Sequence, residues 1–286
     1  MPLIETEQLT HVYAPGTPFE VAGLSDVTLN IEKGEFFALV GATGSGKTTL
    51  VQHFNGLLKP SSGRLRVCGV EVTGKNAGRC LWHKVGLVFQ QPEHQLFEET
   101  VAADVAFGPR NLGLPAAQVA QRVQEAMELV GLVPAQVGQL APLRLSGGLR
   151  RKVALAGVLA LQPEVLVLDE PAAGLDPVSR NQLFERLDRL RAEKGLTVVL
   201  VTHSMEDVAL WADRMAVLHQ GRLVTVGRPR EVFGQTASLQ PYGLEAPASV
   251  ELMRQLKANG LDVATGILTV DEAVEEIIAA LAKRPK

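Results

Sequence analysis

The sequence predicts an α/β fold built around a mainly parallel sheet. Short, continuous apolar runs at 36–40, 165–168 and 197–201 are typical of strands that are buried on both faces. A loop and then a helical pattern follow these runs. Buried strands that alternate with helices favour a sheet whose strands run in one direction.

The bulk composition narrows the class of protein. The chain has 286 residues, 46% of them hydrophobic and 21% charged, which suits one domain with a small appendage and excludes disorder. The net charge of −3 argues against a nucleic-acid partner. No apolar run reaches the length of a spanning helix and no signal-peptide pattern is present, so we expect a cytosolic chain. Cys68 and Cys80 lack metal or redox spacing and are expected to be reduced thiols.

Hydrophobic periodicity assigns the remaining elements of the main domain. Residues 24–31 alternate between apolar and polar side chains, which predicts a strand, and the apolar run at 85–89 predicts another. Residues 49–58 read as a helix. The stretch at about 91–160 is interpreted as an inserted helical subdomain, because apolar residues recur there at spacings of three and four. The clearest stripe consists of Val119, Val123, Ala126, Met127 and Val130.

The character of the sequence changes near its C-terminal end. Residues 248–259 and 269–283 read as two helices, and Thr269 and Glu272 have the spacing of a capping box. We therefore predict a main domain at 1–235 and a helical extension at 236–286. The second helix carries an apolar stripe of Val274, Ile277, Ile278 and Leu281.

A phosphate-binding loop is the first functional motif. Residues 41–48 match the pattern of two glycines followed by Lys and Thr, after a buried strand and before a helix. Backbone N–H groups of such a loop and the start of the helix bind phosphate. Lys47 is expected to reach the β- and γ-phosphates of a nucleotide, and Thr48 to bind Mg²⁺. The predicted binding residues are Gly41, Ala42, Thr43, Gly44, Ser45, Gly46, Lys47, Thr48 and Thr49.

A pair of carboxylates ends the apolar run at 165–168. Ligands of open parallel sheets lie beyond the carboxyl ends of the strands, which favours Asp169 as a Mg²⁺ ligand. Glu170 is one residue further and can act as general base or orient the attacking water. The alternative is a helix cap, but Pro171 favours a turn instead.

The stretch Leu145-Ser146-Gly147-Gly148 resembles the signature of ATP-binding-cassette (ABC) proteins. Its serine and glycines begin an apolar helix, and such a helix N-terminus favours a phosphate. The resemblance implies that Ser146, Gly147 and Gly148 contact ATP bound by a second subunit, in a head-to-tail dimer. It also implies an ABC ATPase domain at 1–235, whose parallel core sheet is joined by an antiparallel β-subdomain and by the helical subdomain.

Four further residues match this family in order along the chain, and their roles are implied by the resemblance. Tyr13 matches the aromatic residue that stacks on adenine, although it could instead be a packed strand residue. Gln90 matches the glutamine that contacts Mg²⁺, beside Thr48 and Asp169. Asp176 lies in a loop that resembles the one contacting the opposing subunit. His203 matches the switch histidine, which with Glu170 forms the expected catalytic pair; a lone histidine is more often a core residue.

Leu149 departs from the family signature, which usually has glutamine after the second glycine. Leucine cannot hydrogen-bond to nucleotide or to neighbouring loops. We therefore expect reduced, but not absent, binding of the partner subunit's nucleotide by this signature.

Residues 89–113 closely resemble the ATPase subunits of energy-coupling factor (ECF) transporters, and residues 14–20 and 52–60 fit the second of their two ATPase types. The resemblance covers nearly the whole chain. It implies import of vitamins or transition-metal ions at the cytoplasmic face of the membrane. The implied partners are a second, related ATPase, a transmembrane coupling protein and a substrate-capture membrane protein.

Two surfaces are expected to serve these partners. Leu96, Phe97, Val101 and Phe107 could form a groove for an apolar helix, bordered by Glu93, Glu98, Glu99 and Asp104. The extension at 236–286 is expected to add contact between the two ATPases. The alternatives are a conventional ABC transporter ATPase and a soluble non-transport ABC ATPase. A compact insertion, rather than a long coiled coil, argues against the DNA-repair type of the latter.

Overall fold

The computed structural model describes residues 2–72, 77–234 and 239–282, except the side chains of Ala77, Glu93 and His94. The described strands are β1 (Ile4–Tyr13), β2 (Val21–Ile31), β3 (Phe36–Val40), β4 (Ser62–Val67), β5 (Val70–Glu71), β6 (Val85–Val88), β7 (Val165–Asp169), β8 (Thr197–Val201), β9 (Arg214–His219) and β10 (Arg222–Gly227). The described helices are α1 (Lys47–Phe54), α2 (Ala77–Leu81), α3 (Val101–Asn111), α4 (Ala116–Leu129), α5 (Pro134–Val137), α6 (Gly147–Leu159), α7 (Pro177–Lys194), α8 (Met205–Trp211), α9 (Pro229–Gly234), α10 (Ala248–Ala258) and α11 (Val270–Ala282).

The strands form two sheets. The larger has the order β10-β9-β3-β8-β7-β6, and only the edge strand β10 runs antiparallel to its neighbour. The smaller sheet has the order β2-β1-β4-β5 and is antiparallel. This arrangement confirms the predicted fold class, a mainly parallel core with an antiparallel subdomain.

The central strands are buried on both faces, as their continuous apolar runs predicted. In β7, Val165 and Val167 belong to a core shared with the antiparallel sheet and α1. Leu166 and Leu168 point the other way, into a core shared with the helical subdomain and α7. Because successive side chains of a strand face opposite sides, one apolar run stabilises two layers at once.

Helix α1 lies between the two sheets, with Leu50, Val51 and Phe54 buried. The predicted helix at 49–58 was displaced from the observed one. The observed helix begins at Lys47, two residues before the predicted start, because Gly46 adopts a left-handed conformation (φ 102°) that turns the loop directly into the helix. It ends at Phe54, since Gly56 also has a positive φ and reverses the chain.

Helices α3, α4 and α6 pack against one another and form the helical subdomain. The predicted stripe from Val119 to Val130 is buried in the core that these helices share with β7, β8 and α7. The sheet and the subdomain are therefore joined by one continuous apolar layer.

The C-terminal segment packs in two parts. Leu239, Leu244 and Val250 join Val40 and Met215 in a core beside the parallel sheet. Helices α10 and α11 enclose a small core of their own, formed by Met253, Leu261, Val263, Ile267, Ala273 and Ala280. The expected boundary at 235/236 and the expected helix end at Lys283 lie outside the described residues.

The predicted capping box is half formed. The Thr269 hydroxyl accepts the Glu272 N–H at 3.2 Å, as expected. The Glu272 carboxylate instead accepts the N–H of Leu268, at 3.0 Å, and pairs with Arg230 at 2.8 Å. This ion pair ties the start of α11 to α9. Within the described ranges, no helix combines the length and apolarity that crossing a bilayer requires.

Two histidines form a buried contact between α1 and β1. His53 Nδ1 donates to the Thr49 carbonyl at 2.7 Å, so its Nε2 is the acceptor, 3.2 Å from His11 Nδ1. His11 Nδ1 lies 3.0 Å from the Lys59 carbonyl and therefore carries a proton. If His53 Nε2 were protonated, its N–H would point at the N–H of His11 Nδ1, and the two donors would repel each other. Burial lowers the pKa of His53, and the neighbouring His11 lowers it further.

This contact predicts a pH dependence of stability. As the pH falls through about 6.5, the unfolded chain protonates His53 while the folded chain does not, so the free energy of unfolding decreases by up to about 1.4 kcal/mol per pH unit. His53→Gln, whose amide can donate and accept in the same places, should lose this part of the slope. Urea unfolding between pH 5 and 8 measures it. Equal slopes for wild type and His53→Gln would refute the prediction.

Candidate active site

The phosphate loop connects β3 to α1 and depends on glycine for its path. Gly44 and Gly46 have φ angles of 79° and 102°, which side chains with a Cβ rarely adopt. A Cβ on Gly46 would also lie 2.7 Å from the Gly23 carbonyl, and one on Gly41 would lie 2.2 Å from the Leu218 carbonyl. The loop is therefore held close against two other segments, with its backbone turned inward.

The Lys47 side chain is hydrogen-bonded to the first two residues of this loop. Its Nζ donates to the carbonyls of Gly41 at 2.7 Å and Ala42 at 3.0 Å. Burial lowers the pKa of Lys47, and the charges of Asp169 and Glu170 oppose that shift. Ser45 Oγ is buried in the same loop without a hydrogen-bond partner in the described part of the chain. A buried ammonium and an unsatisfied hydroxyl in a backbone cradle suit an anionic ligand.

Asp169 ends β7 and lies beside the first turn of α1. Thr48 Oγ1 donates to Asp169 Oδ2 at 3.4 Å, so two of the three predicted metal ligands meet in the structure. Burial raises the pKa of Asp169, while the Thr48 hydrogen bond and the charge of Lys47 lower it. A hydroxyl and a carboxylate supply the oxygen ligands that Mg²⁺ prefers.

Glu170 adopts an unusual backbone conformation, with φ at 51°. Its N–H donates to the Val201 carbonyl at 2.9 Å, which extends the β7–β8 pairing by one residue and holds the turn in place. Such a conformation costs about 1–3 kcal/mol and persists only where surrounding contacts impose it. Burial raises the pKa of Glu170, and the neighbouring Asp169 charge raises it further.

His203 follows β8 and faces Glu170. Its Nε2 lies 3.5 Å from Glu170 Oε1, and that oxygen is buried without a hydrogen bond among the residues described. Burial lowers the pKa of His203, and Lys47 lowers it further, whereas Asp169 opposes the shift. The structure thus brings together the predicted catalytic pair beside Lys47 and Asp169.

Tyr13 borders the phosphate loop. Its ring is 39% exposed, and its hydroxyl is 3.0 Å from Thr49 Oγ1. One hollow of about 350 Å³ is lined by Tyr13 together with Gly44, Gly46, Lys47, Thr48 and Thr49. His11 packs edge-on behind the Tyr13 ring, with centroids 4.5 Å apart. The ring is therefore supported from behind and open in front.

Gln90 is not brought to the other predicted ligands by a described contact. It follows β6 with an exposed side chain that makes no hydrogen bond within the described ranges. Its carbonyl accepts from Arg151 Nη2 at 3.5 Å, and Arg151 Nη1 donates to the Ala173 carbonyl. Arg151, on α6, thus links the segments that follow β6 and β7. Its sequence pattern gave no indication of this contact.

The signature residues face a different part of the surface. Ser146 caps α6 by accepting the Leu149 N–H at 3.4 Å, and Gly147 and Gly148 have open space where a Cβ would stand. Ser146 and Gly148 border a hollow of about 330 Å³ between α6 and α7, separate from the one beside Tyr13. Glu170 and Asp176 also line this hollow, whereas the phosphate-loop residues line the one beside Tyr13.

Leu149 turns inward. It is half-buried and packs against the same core as Leu183 of α7. The unusual side chain is therefore accommodated by apolar contacts within its own subunit.

Asp176 caps α7 and is fully exposed. Its Oδ1 accepts the N–H groups of Val178 and Ser179, both at 3.0 Å. Hydrogen bonds from Ser179 lower the pKa of Asp176. The loop that leads from Glu170 to α7 is thus anchored at its far end.

Comparison with known proteins identifies the family of the chain. Residues 24–173 match the family described as ABC transporter. The chain is 50% identical to the energy-coupling factor transporter ATP-binding protein EcfA2 of Symbiobacterium thermophilum, over 99% of this chain and 98% of the relative.

Two solved structures are similar to the fold. CbiO1 of Clostridium perfringens, part of the ABC transporter complex cbiONQ, has a TM-score of 0.74 at 34% identity, covering 91% of this chain and 96% of the other. The ATP-binding cassette MJ0796, a post-hydrolysis dimer bound to ADP and Pi, has a TM-score of 0.71 at 26% identity, covering 79% and 98%. Nucleotide binding follows from the shared cassette and its phosphate loop. The chain belongs to the ABC transporter family of ATPases, among the energy-coupling factor transporter ATP-binding proteins.

Proposed function

We propose that this chain hydrolyses ATP as one of two ATPase subunits of an ECF-type importer, at the cytoplasmic face of the membrane. The observation that carries the proposal is the meeting of Lys47, Asp169, Glu170 and His203 at one edge of the parallel sheet. Similarity to ECF ATP-binding proteins over nearly the full length supports the transporter class. The cargo would be a vitamin or a transition-metal ion.

ATP binding is assigned to the loop 41–48, with Tyr13 against the adenine and Thr49 as a further contact. The unsatisfied Ser45 hydroxyl and the Lys47 ammonium, bonded to two carbonyls that phosphate oxygens could replace, support this assignment. Thr48 and Asp169, which meet at 3.4 Å, would hold Mg²⁺, with Gln90 as the third ligand that the family resemblance implies, and the ion would offset the charge that develops on the phosphates.

Glu170 and His203 are assigned to the attacking water. The unsatisfied Glu170 Oε1 can accept a hydrogen bond from water, and the raised pKa of this carboxyl makes it a better proton acceptor than an ordinary glutamate. His203, 3.5 Å away, would hold the same water or a γ-phosphate oxygen. Both side chains are positioned before substrate arrives, which lowers the cost of reorganisation.

Glu170→Gln tests this assignment. The amide keeps the size of the side chain but cannot take a proton, so turnover should fall at least about 100-fold while the ATP dissociation constant stays within about twofold. Steady-state hydrolysis and equilibrium binding of a fluorescent ATP analogue measure the two quantities. Glu164→Gln, at an exposed ion pair just before β7, is the control and should behave as wild type. Normal hydrolysis by Glu170→Gln would remove Glu170 from the mechanism.

The second ATPase is assigned to the face that carries Ser146, Gly147, Gly148 and Asp176. These residues are exposed and lie apart from the hollow beside Tyr13, which supports a site completed by another subunit. The partner would be a related ATPase. Leu149 would weaken the half of the site that this chain contributes, because a leucine that packs inward offers no hydrogen bond to the nucleotide.

The extension is assigned to a further contact between the two ATPases. Helix α11 presents an exposed apolar stripe formed by Val270, Val274, Ile278 and Leu281. Ile277 of the expected stripe instead packs against the small core of the extension. Exposed apolar side chains at helical spacing mark an interaction face.

Ile278→Glu tests this contact more sharply than removal of the extension, since Leu239, Leu244 and Val250 stabilise the main domain. A carboxylate in the centre of an apolar interface should raise the dissociation constant of the nucleotide-free ATPase pair at least about tenfold. Analytical ultracentrifugation measures it. Val133→Glu, at an exposed apolar residue of the helical subdomain, is the control. An unchanged dissociation constant for Ile278→Glu would exclude α11 from the interface.

The transmembrane coupling protein is assigned to the hollow beside α3. Phe97 and Phe107 are 63% and 43% exposed and meet edge-to-face at 4.8 Å; with Leu96 and Trp82 they border a hollow of about 280 Å³. Glu98 and Glu99 directly follow Phe97 in the chain, and their charges favour an apolar helix with basic flanks.

Two residues expected in this groove have other roles. Val101 is fully buried in the helical subdomain, and Asp104 accepts the N–H groups of Phe97 and Glu98 at 2.9 and 3.0 Å. Asp104 thus holds the loop through one carboxylate oxygen, and the same residue also lines the hollow. The Glu93 side chain lies outside the described residues.

Affinity purification from membranes through a tag on this chain tests the transporter assignment. Wild type should recover a second ATPase and integral membrane proteins, and Phe97→Glu should lose the membrane proteins but retain the ATPase. Phe19→Glu, at an aromatic residue that is 82% exposed, is the control. Recovery of no membrane protein by wild type would favour a soluble ABC ATPase. Recovery of a complex without a substrate-capture protein would favour a conventional ABC transporter.

A further inference from the structure

An ion pair between a buried carboxylate and a partly exposed arginine joins α7 to the start of α8. Arg180 Nε and Nη2 lie 2.7 and 2.6 Å from Asp207 Oδ1, and Nη2 also donates to Ser204 Oγ. The Asp207 side chain is only 4% exposed. Neither the phosphate loop nor the carboxylate pair includes any of these three residues.

The ion pair lies directly behind His203. Ser204 caps α8 by accepting the Asp207 N–H at 3.2 Å, and the Ser204 N–H donates to Thr202 Oγ1 at 3.0 Å. The residues on both sides of His203 are therefore bonded to each other, and Arg180 holds the second of them. The backbone that carries the imidazole is fixed from a neighbouring helix.

Arg180 also connects this backbone to the loop that ends in Asp176. The Arg180 N–H donates to the Asp176 carbonyl at 2.9 Å, in the first turn of α7, which Asp176 itself caps. One helical turn thus separates the exposed Asp176 from a side chain that holds the His203 segment.

The energetics favour a rigid link. Burial raises the pKa of Asp207, and the hydrogen bond and charge of Arg180 oppose that shift. Removing one member of a buried ion pair leaves the other charge without compensation, so the pair resists separation. An arginine fork also fixes geometry more tightly than a lysine would.

We propose that Arg180 is a positioning residue, which through Ser204 and Asp207 holds His203 in the orientation needed for hydrolysis and ties that orientation to the Asp176 loop. The proposal rests on the proposed function, because it takes the roles of His203 and of the Asp176 face from it. The competing explanation is that the pair only stabilises the packing of α7 on α8.

Arg180→Gln, Arg180→Lys and Asp207→Asn, in the complex purified through a tag on this chain, distinguish these explanations. Arg191→Gln is the matched control, because Arg191 lies on the same helix and makes an ion pair of 2.6 Å with Asp213, away from His203. We expect Arg180→Gln and Asp207→Asn to lower kcat at least about tenfold and to leave the ATP dissociation constant within about threefold. Arg180→Lys should recover part of the loss, and Arg191→Gln should stay within about twofold of wild type.

Hydrogen–deuterium exchange of the nucleotide-free chain supplies a readout independent of turnover. Amides in residues 202–211 should exchange faster in Arg180→Gln than in wild type, whereas Arg191→Gln should leave them unchanged. Combining Arg180→Gln with Asp207→Asn should cost no more than either change alone, because the two groups act as one unit.

Three results would overturn the proposal: an unchanged kcat in Arg180→Gln, equal losses in Arg180→Gln and Arg191→Gln, or a loss confined to the ATP dissociation constant. Glu170→Gln and the wild-type complex distinguish a failure of the proposed function from a failure of this inference. Normal turnover in that variant would remove Glu170 from the mechanism, and a wild-type complex without ATP hydrolysis would reject the proposed function itself, whereas an inactive Glu170→Gln with a fully active Arg180→Gln would reject this inference alone.

Discussion

The parallel pairing of β3, β8 and β7 is the constraint on which the site depends. Phe36 to Leu39 pair with Val198 to Val201, and Val165 to Asp169 pair with Thr197 to Val201, so the three strands end together at one edge. The phosphate loop, the carboxylates and His203 each follow one of these ends. Groups that are far apart in sequence become neighbours because backbone hydrogen bonds fix the strands relative to one another.

At that edge of the sheet, polar side-chain atoms are buried without hydrogen bonds to the described part of the chain, whereas in solvent they would be bonded to water. Glu170 holds a left-handed backbone, and its Oε1, like Ser45 Oγ, is buried without a partner among the described residues. The apolar layers on both faces of the sheet supply the rigidity that maintains this arrangement. The Ser45 hydroxyl can donate to an anionic ligand, and Glu170 Oε1 can accept from a water molecule beside that ligand, so a stable scaffold holds both groups ready for their partners.

Motifs and strands were predictable because each depends on a short stretch of chain. The loop at 41–48 needs glycine at fixed positions, and the runs at 36–40, 165–168 and 197–201 needed only continuous apolarity to be recognised as buried strands. The two ends of α1 were harder to predict from the sequence. They depend on how Gly46 and Gly56 turn the chain, and a periodic pattern does not record backbone angles.

The sequence by itself determined the ATPase family, the phosphate loop, the carboxylate pair and the two-faced burial of the central strands, because local spacing encodes all of them. Only the tertiary structure decided that Leu149 turns into its own subunit, that Asp104 accepts two N–H groups of the loop before α3, and that His11 meets His53. It also decided that Arg180 clamps the segment behind His203. Such contacts join side chains that are 24 or more residues apart, or depend on which way a side chain turns, and neither property leaves a periodic trace in the sequence.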